Sequence, residues 1–321
     1  MKVLVTGAGA LLGQGMIRSV LESRLDVEVI AADPSELAAG LYWVPHRRLI
    51  PMARDPRYLS ELEALIARER PDAVLIGTDV ELPILAANRE ALERAHGTHI
   101  IVSSPEVVAI ADDKYETFRF FRDAGLPCPD SVLPGDEEAL IERVGFPLVV
   151  KPRVGARSVG VSVIRDRDQL ARAIATVERP VIQECVATES EEYTAGVLCF
   201  DGRCCASIVM RRELRDGNTY RAFVEPYPAL NTAVRAMAER LQPHGPANFQ
   251  FRLAGQQVKV FEINARFSGT TPLRMRAGFN EVEMVLRRVV LGESVEQPLV
   301  TPMTILRHWS ETVVMPGELV R

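Results

Sequence analysis

Residues 248 to 269, NFQFRLAGQQVKVFEINARFSG, concentrate side chains whose types and spacing suit chemistry on phosphates. The segment reads as two alternating strands joined by a turn at Gly255. Because strand side chains repeat with period two, Glu262 and Asn264 fall on one face. A hairpin symmetric about Gln256 sets Gln250 directly opposite Glu262. One carboxylate and two amides then share a face. Hard Mg²⁺ carried on nucleotide phosphates takes oxygen ligands of this kind, usually one or two carboxylates, with water and phosphate completing the shell. Arg266, two residues beyond Asn264, points the same way and can stabilise charge on a transferring phosphoryl group. The bland alternative is a solvent-facing strand whose polar residues do nothing.

Two lysines extend the same chemistry. Lys151 ends the apolar run PLVVK, where sheltering an ammonium is costly without an anion beside it. Lys114 follows Asp112 and Asp113 at an expected helix start, an end of the macrodipole that disfavours a cation. A ligand phosphate resolves both conflicts, whereas a lysine that snorkels to water, or one offset by the two aspartates, needs no ligand. After Lys151, Gly155, Ser158 and Gly160 lie in a loop between two β-rich runs. Such a loop can lay successive backbone N–H groups around a polyphosphate, or it can be an ordinary hairpin connection.

The elements that position these groups come in two styles. Apolar runs at 2 to 6, 27 to 32, 73 to 76 and 99 to 102 alternate with helical stretches, the pattern of a doubly wound parallel sheet. Gly7, Gly9 and Gly13 follow its first strand and Asp33 ends its second, where a dinucleotide fold places its phosphate turn and ribose-binding acid. The spacing is G-x-G-x-x-x-G, one residue too long, so a purely structural turn competes with an NAD(P) site. No tyrosine is followed four residues later by lysine, as a short-chain reductase requires. From about residue 112 a helix runs towards Gly125. Beyond it lie β-rich runs within 146 to 164, a helix over 168 to 177 and a strand over 180 to 186. Mainly antiparallel strands follow at 193 to 200, 204 to 210, 247 to 253 and 258 to 264, with helices near 229 to 241 and 280 to 291.

Composition narrows the function class. The 321 residues are 47% hydrophobic and 25% charged with a formal net charge of −5, which argues against a general nucleic-acid binder and against disorder. No apolar stretch is long enough for a membrane span and the N-terminus runs straight into a strand and turn, so a soluble, cytoplasmic protein is expected. Cys128, Cys185, Cys199, Cys204 and Cys205 form no disulfide framework, and the histidines show no metal-ligand spacing.

The ordered pieces DK (113 to 114), PLVVKPRVGARSVGV (147 to 161), VIQECV (181 to 186), EEYTAGV (191 to 197), NFQF (248 to 251) and FEINARFSG (261 to 269) resemble the ATP-grasp superfamily. Within it, they resemble single-unit relatives of the carbamoyl-phosphate synthase large subunit, of carboxylate-amine ligase type. The resemblance implies an α/β and α+β fold, with an N-terminal doubly wound parallel sheet at 1 to 105 as the pre-ATP-grasp domain. A small ATP-grasp lobe with a glycine-containing flap follows at 106 to 190, and a large lobe with the metal and phosphate site at 191 to 321.

Carried over by position, Lys114 and Lys151 hold ATP phosphates, with Gly155, Ser158 and Gly160 in the flap above them. Glu184, Cys185 and Val186 fall at the adenine hinge, where the backbone reads the base, and Glu192 at the ribose. Gln250, Glu262 and Asn264 match the Mg²⁺ set, which Mn²⁺ can also fill, and Arg266 the phosphate-contacting arginine. Arg266 and Lys151 are the expected catalytic pair. The chain departs from the pattern at Ala265, where relatives commonly carry proline, and at Arg157, where the flap often has glycine.

The implied reaction phosphorylates a carboxylate with ATP and couples the acyl phosphate to an amine, often an amino acid, releasing ADP and phosphate. The partners are then small molecules, with a homodimer left open. Ser268, Gly269, Thr270 and Thr271, with Arg215 or Arg221, are the expected anchors of the acceptor carboxylate. An NAD(P)-binding oxidoreductase built on the N-terminal glycines, and a non-catalytic ATP-binding sensor, are the rival readings.

Overall fold

The computed structural model describes residues 1–155, 158–186 and 192–320. Its first sheet comprises β1 (Lys2–Val5), β2 (Glu28–Asp33), β3 (His46–Leu49), β4 (Ala73–Leu75) and β5 (His99–Ile101), all parallel in the order β3-β2-β1-β4-β5. Helices α1 (Leu11–Leu21), α2 (Tyr58–Glu69) and α3 (Leu82–His96) connect these strands. The expected doubly wound sheet is present, with β3 as an edge strand that the sequence pattern did not announce. Its sequence, HRRL, carries too much charge to read as a buried run.

Period-two alternation divides the sheet's side chains between two cores. Leu4, Ile30, Val74 and Ile100 pack under α2 and α3, whereas Val3, Val5, Val29 and Leu75 face α1. The second core continues into the large C-terminal sheet through Leu198, Ile208, Met210, Phe267 and Phe279. The N-terminal unit is therefore joined to the large sheet by shared apolar burial, and a cleft at that seam has rigid walls.

Helices α4 (Pro105–Asp112) and α5 (Lys114–Asp123) lead into the middle of the chain. The Ser104 hydroxyl caps α4 by accepting from Val107 N, and Asp113 caps α5 by accepting from Tyr115 N at 2.9 Å. The second sheet is antiparallel, with β6 (Ser131–Val132), β7 (Leu148–Pro152), β8 (Ser162–Ile164) and β9 (Pro180–Glu184) in the order β6-β9-β7-β8. Helices α6 (Glu137–Val144) and α7 (Arg167–Thr176) cover it through Leu140, Leu170 and Ala173.

The third sheet runs β14-β13-β10-β11-β12-β15, from β10 (Glu192–Phe200), β11 (Arg203–Arg215), β12 (Asn218–Val224), β13 (Gly245–Ala254), β14 (Gln257–Asn264) and β15 (Met303–Leu306). Helix α8 (Pro228–Leu241) packs on one face through Val234, Met237 and Leu241, and α9 (Thr271–Arg276) with α10 (Glu281–Leu291) borders the seam. Among the described residues no helix is long and apolar enough to cross a membrane.

The N-terminal glycines are committed to this packing. A Cβ on Gly13 would lie 2.1 Å from the Gly7 carbonyl oxygen, so the turn after β1 closes directly on α1. Asp33 is buried and already used, accepting from Gly9 N at 2.7 Å and Ser35 N at 2.9 Å. We expect Gly13→Ala to destabilise the protein by about 1–3 kcal/mol through overpacking. A denaturant midpoint unchanged from the parent would show that the turn has slack.

Candidate active site

The expected hairpin forms, and its register pairs Gln250 with Glu262 and Asn248 with Asn264. The register arises differently from the symmetric reading. Near the turn the pairs are Ala254 with Gln257 and Phe251 with Val260, which would carry Gln250 opposite Phe261. A bulge between Gln250 and Phe251 leaves Phe261 as the extra residue and restores Glu262 to its place.

The released Phe261 carbonyl accepts from Lys151 Nζ at 3.3 Å, and Gln183 Oε1 accepts from the same ammonium at 2.8 Å. Lys151 is 5% exposed and Lys114 is 7% exposed. Among the described residues neither ammonium has a carboxylate partner within ion-pair distance. Burial, with the Lys114 charge beside it, pulls the Lys151 ammonium down to about 7, against a smaller upward pull from Glu262 and Glu192. Lys114 Nζ donates to the Gly155 carbonyl at 2.8 Å, which ties it to the start of the loop. Arg157, the departure in that loop, lies outside the described residues, as does Glu191.

Two cavities meet over this hairpin. The smaller, about 390 Å³, is lined by Lys114, Lys151, Gly155, Ser158, Glu184, Cys185, Val186 and Glu192, together with apolar Val149, Val161, Val163 and Phe261. Gly160 is not in its lining, and a Cβ there would sit 3.0 Å from Pro152 Cγ. Val161 and Val163 are 41% exposed although apolar, so the cavity has an open hydrophobic wall suited to a flat base. The Glu184 carboxylate is taken by Lys259 Nζ at 2.6 Å and by Asp130 N at 3.0 Å, and its backbone N–H donates to the Asp130 carbonyl at 2.7 Å. Glu192 accepts from Arg212 Nη2 at 2.6 Å and from Arg252 Nη2 at 3.1 Å.

The larger cavity, about 980 Å³, lies at the seam and is lined by Gly9, Leu11, Asp79, Asn264, Arg266, Ser268, Gly269, Thr270 and Arg307. Lys114, Gly155, Arg212, Gln250 and Glu262 border both cavities, so the cations and the oxygen donors stand at their junction.

Two site expectations are corrected, for Gln250 and for the Arg215 and Arg221 anchors, and Arg266 gains a partner the sequence did not announce. Gln250 lies on the predicted face, but its Oε1 accepts from Arg212 Nη2 at 2.5 Å and its amide donates to Glu262 at 3.1 Å and Asn264 at 3.2 Å. The Arg212 charge fixes that orientation, so Gln250 presents N–H rather than oxygen to the hairpin face. Arg266 faces the larger cavity but is held bidentately by Asp79, at 2.7 and 3.1 Å. Arg215 and Arg221 border neither cavity. Arg215 lies over the Tyr220 ring and Arg221 pairs with Glu213 at 2.8 Å.

For a hard divalent cation the donor set fits. Glu262 and Asn264 adjoin and offer hard donor types, a carboxylate and an amide oxygen, with phosphate and water to complete the shell. Asn264 Nδ2 donates to Glu262 Oε1 at 3.1 Å and its Oδ1 accepts from Gln250 at 3.2 Å and Asn248 at 3.4 Å, bonds that an ion would replace. Glu262 and Asn264 would hold the ion.

Below this face lies a fully buried ion pair. Arg274 and Glu281 are each 1% exposed, with Nη1 at 3.1 Å from both carboxylate oxygens. Arg274 Nη2 also donates to Asn248 Oδ1, and Asn248 Nδ2 donates to Asn264 Oδ1 at 3.4 Å. Gly196 makes room, since a Cβ there would sit 2.4 Å from Arg274 Nη1. Asp79, Arg212, Arg274 and Arg307 carry no local signal in the sequence. Asp79 meets Arg266 across 187 residues of chain.

Family models match the chain in three overlapping or adjacent stretches. A RimK-like ATP-grasp domain matches residues 111–227, and a model described as ATP-grasp in the biosynthetic pathway with Ter operon matches residues 181–312. The chain carries an ATP-grasp domain. The N-terminal domain of PylC-like proteins matches residues 3–101, ahead of it.

The carbamoyl phosphate synthase large chain of Vibrio cholerae is 25% identical over 281 residues, covering 82% of this chain and 26% of that protein. The chain thus spans about a quarter of the length of that curated relative. Among solved structures, N5-carboxyaminoimidazole synthetase from Staphylococcus aureus in complex with ADP superposes with a TM-score of 0.75 at 16% identity, covering 95% of this chain and 81% of that one. An L-amino acid ligase from Bacillus licheniformis gives 0.71 at 18% identity, covering 92% and 75%. These likenesses establish the fold and, with the two domain models, the two-lobed ATP-grasp architecture.

Removing one partner of the Arg274–Glu281 pair strands the other charge in the core. We expect Glu281→Ala to cost about 3–5 kcal/mol. A loss below 1 kcal/mol in denaturant unfolding would show that the pair is solvated more than its burial implies.

Proposed function

We propose that the protein is a Mg-ATP-dependent ligase that activates a carboxylate as an acyl phosphate and couples it to an amine. The observation that carries this reading is the lining of the two cavities, in which Lys114 and Glu262 border both, Lys151 the smaller and Asn264 the larger, with neither lysine within ion-pair distance of a carboxylate among the described residues. In this reading the apolar wall of Val161 and Val163 receives the adenine, and the backbone of Glu184 to Val186 reads its edge. Glu192 faces the ribose, and Lys151 and Lys114 hold the phosphates. That the S. aureus synthetase was solved with ADP supports the placement of a nucleotide in this fold.

The chemistry is mostly positioning. A carboxylate oxygen held in the larger cavity attacks the γ-phosphorus and the bond to the ADP oxygen breaks. The amine nitrogen then attacks the acyl carbon, the carbon–oxygen bond to phosphate breaks, and the ammonium proton goes to solvent. Mg²⁺ supplies charge neutralisation on the phosphate oxygens. Arg266, held by Asp79 and lining the acceptor side, is placed to meet charge on the transferred group. The likeness to the L-amino acid ligase supports an amino acid as one partner.

Phosphate release from Mg-ATP across a matrix of carboxylates and amines tests the reaction class. Glu262→Ala should lower turnover by at least about 100-fold while the thermal midpoint stays near the parent value. A variant that turns over normally removes Glu262 from the site.

Nucleotide affinity should also depend on pH. Bound phosphate favours the protonated Lys151, whose ammonium in the free protein titrates near 7, so binding takes up protons around neutrality. The dissociation constant for Mg-ATP should therefore rise from pH 6 to pH 9, and Lys151→Ala should flatten this rise. Calorimetry in buffers of different ionisation heat measures the uptake directly; affinity independent of pH in the parent protein would count against Lys151 as a phosphate ligand.

A further inference from the structure

We propose that the larger cavity contains a second anion subsite built on Arg307, so that the acid substrate carries another anionic group besides the carboxylate that reacts. This rests on the ligase reading and specifies the substrate class it takes. Arg307 follows β15 and reaches under the large sheet, where Nη1 donates to the Thr219 carbonyl at 3.0 Å and Nη2 to the Gly269 carbonyl. A guanidinium has five N–H donors, so three remain. Among the described residues no carboxylate pairs with it. Burial, with Arg18 nearby, lowers its proton affinity, the signature of a sheltered cation that the protein has not neutralised.

The corner around Arg307 adds positive character, and the acids on the cavity wall, Asp79, Asp112 and Glu262, form no ion pair with Arg307 among the described residues. The eleven-residue helix α1 begins at Leu11 with no side-chain cap and no acidic residue in its first turn. Leu11 and Leu12 line the same cavity, and a Cβ on Gly269 would sit 2.8 Å from Leu11 Cδ2. The start of α1, the Gly269 turn and Arg307 thus share one corner. Of the other groups on the cavity wall, Asp79 is occupied by Arg266 and Glu262 belongs to the hairpin face. An anion with two oxygens, carboxylate or phosphate, matches the free edge of the guanidinium.

Calorimetry on the protein saturated with Mg-AMPPNP separates the possibilities. Succinate, glutamate and O-phosphoserine are titrated against their less charged counterparts succinamate, glutamine and serine. At least one dianion should bind about 10- to 100-fold tighter than its counterpart, with glutamate or succinate marking a carboxylate and O-phosphoserine a phosphate. In Arg307→Met that preference should vanish while AMPPNP affinity is unchanged. Arg307→Lys should keep part of the preference, and Arg221→Met, on the exposed hairpin, all of it. If AMPPNP binds and no dianion exceeds its counterpart, or if Arg307→Met weakens both members equally, the subsite is refuted and Arg307 is a structural clamp. Failure of AMPPNP to bind would instead overturn the ligase reading.

Discussion

One residue of slack in a hairpin sets the geometry of the whole site. Without the bulge at Phe261, the two-residue turn would place Gln250 opposite an aromatic ring and turn Glu262 to the other face of the sheet. With it, Glu262 and Asn264 stand opposite Gln250 and Asn248, and the carbonyl freed by the bulge becomes an acceptor for Lys151. Donor set and cation are thus coupled through one backbone irregularity. The oxygen donors and the ammonium that would share a phosphate are positioned by the same peptide rather than by separate loops.

That coupling works only because the surrounding elements cannot drift. The core under β1 and α1 runs without interruption into the third sheet, and Asp79, in the turn that follows β4, clasps Arg266 at the end of the hairpin. Beneath the hairpin the Arg274–Glu281 pair reaches Asn264 through Asn248. A buried ion pair is an expensive way to gain stability compared with apolar packing. Its position, one asparagine away from a proposed metal ligand, makes orientation of that ligand the better account of its presence.

The sequence made the chemistry legible where physical conflict was local. A lysine at the end of an apolar run and another at a helix start are each out of place without an anion, and both prove to be buried in the wall of the smaller cavity. The hairpin register followed from period-two alternation, although the actual turn and bulge shift it twice in compensating directions. What could not be read was long-range. Arg212 draws away the Gln250 oxygen, Asp79 engages Arg266, and Arg307 enters from beyond the last helix; none has a partner near it in sequence. Arg215 and Arg221 misled for the complementary reason. Proximity to the site in sequence gave no information about which face of a long exposed hairpin they occupy. The N-terminal glycines resembled a cofactor turn because close helix–strand packing and close phosphate approach make the same demand for a missing side chain, and here Gly13 meets it against Gly7.

The distribution of uncompensated charge gives the cleft its direction. Elsewhere several sheltered cations are paired with carboxylates. Arg153 meets Asp113, Arg212 meets Glu192, Lys259 meets Glu184 and Arg274 meets Glu281. Lys114, Lys151 and, on the acceptor side, Arg307 hydrogen-bond to carbonyl or amide oxygens, with no carboxylate within ion-pair distance among the described residues. Carbonyl dipoles hold a cation in place without cancelling its charge, so each remains able to attract an anion from solvent. A fold that leaves these three cations along the two adjoining cavities suits a ligand that is anionic along its length, first nucleotide phosphates and then an acid beyond them. The electrostatic design and the two-cavity shape therefore make the same demand on what binds.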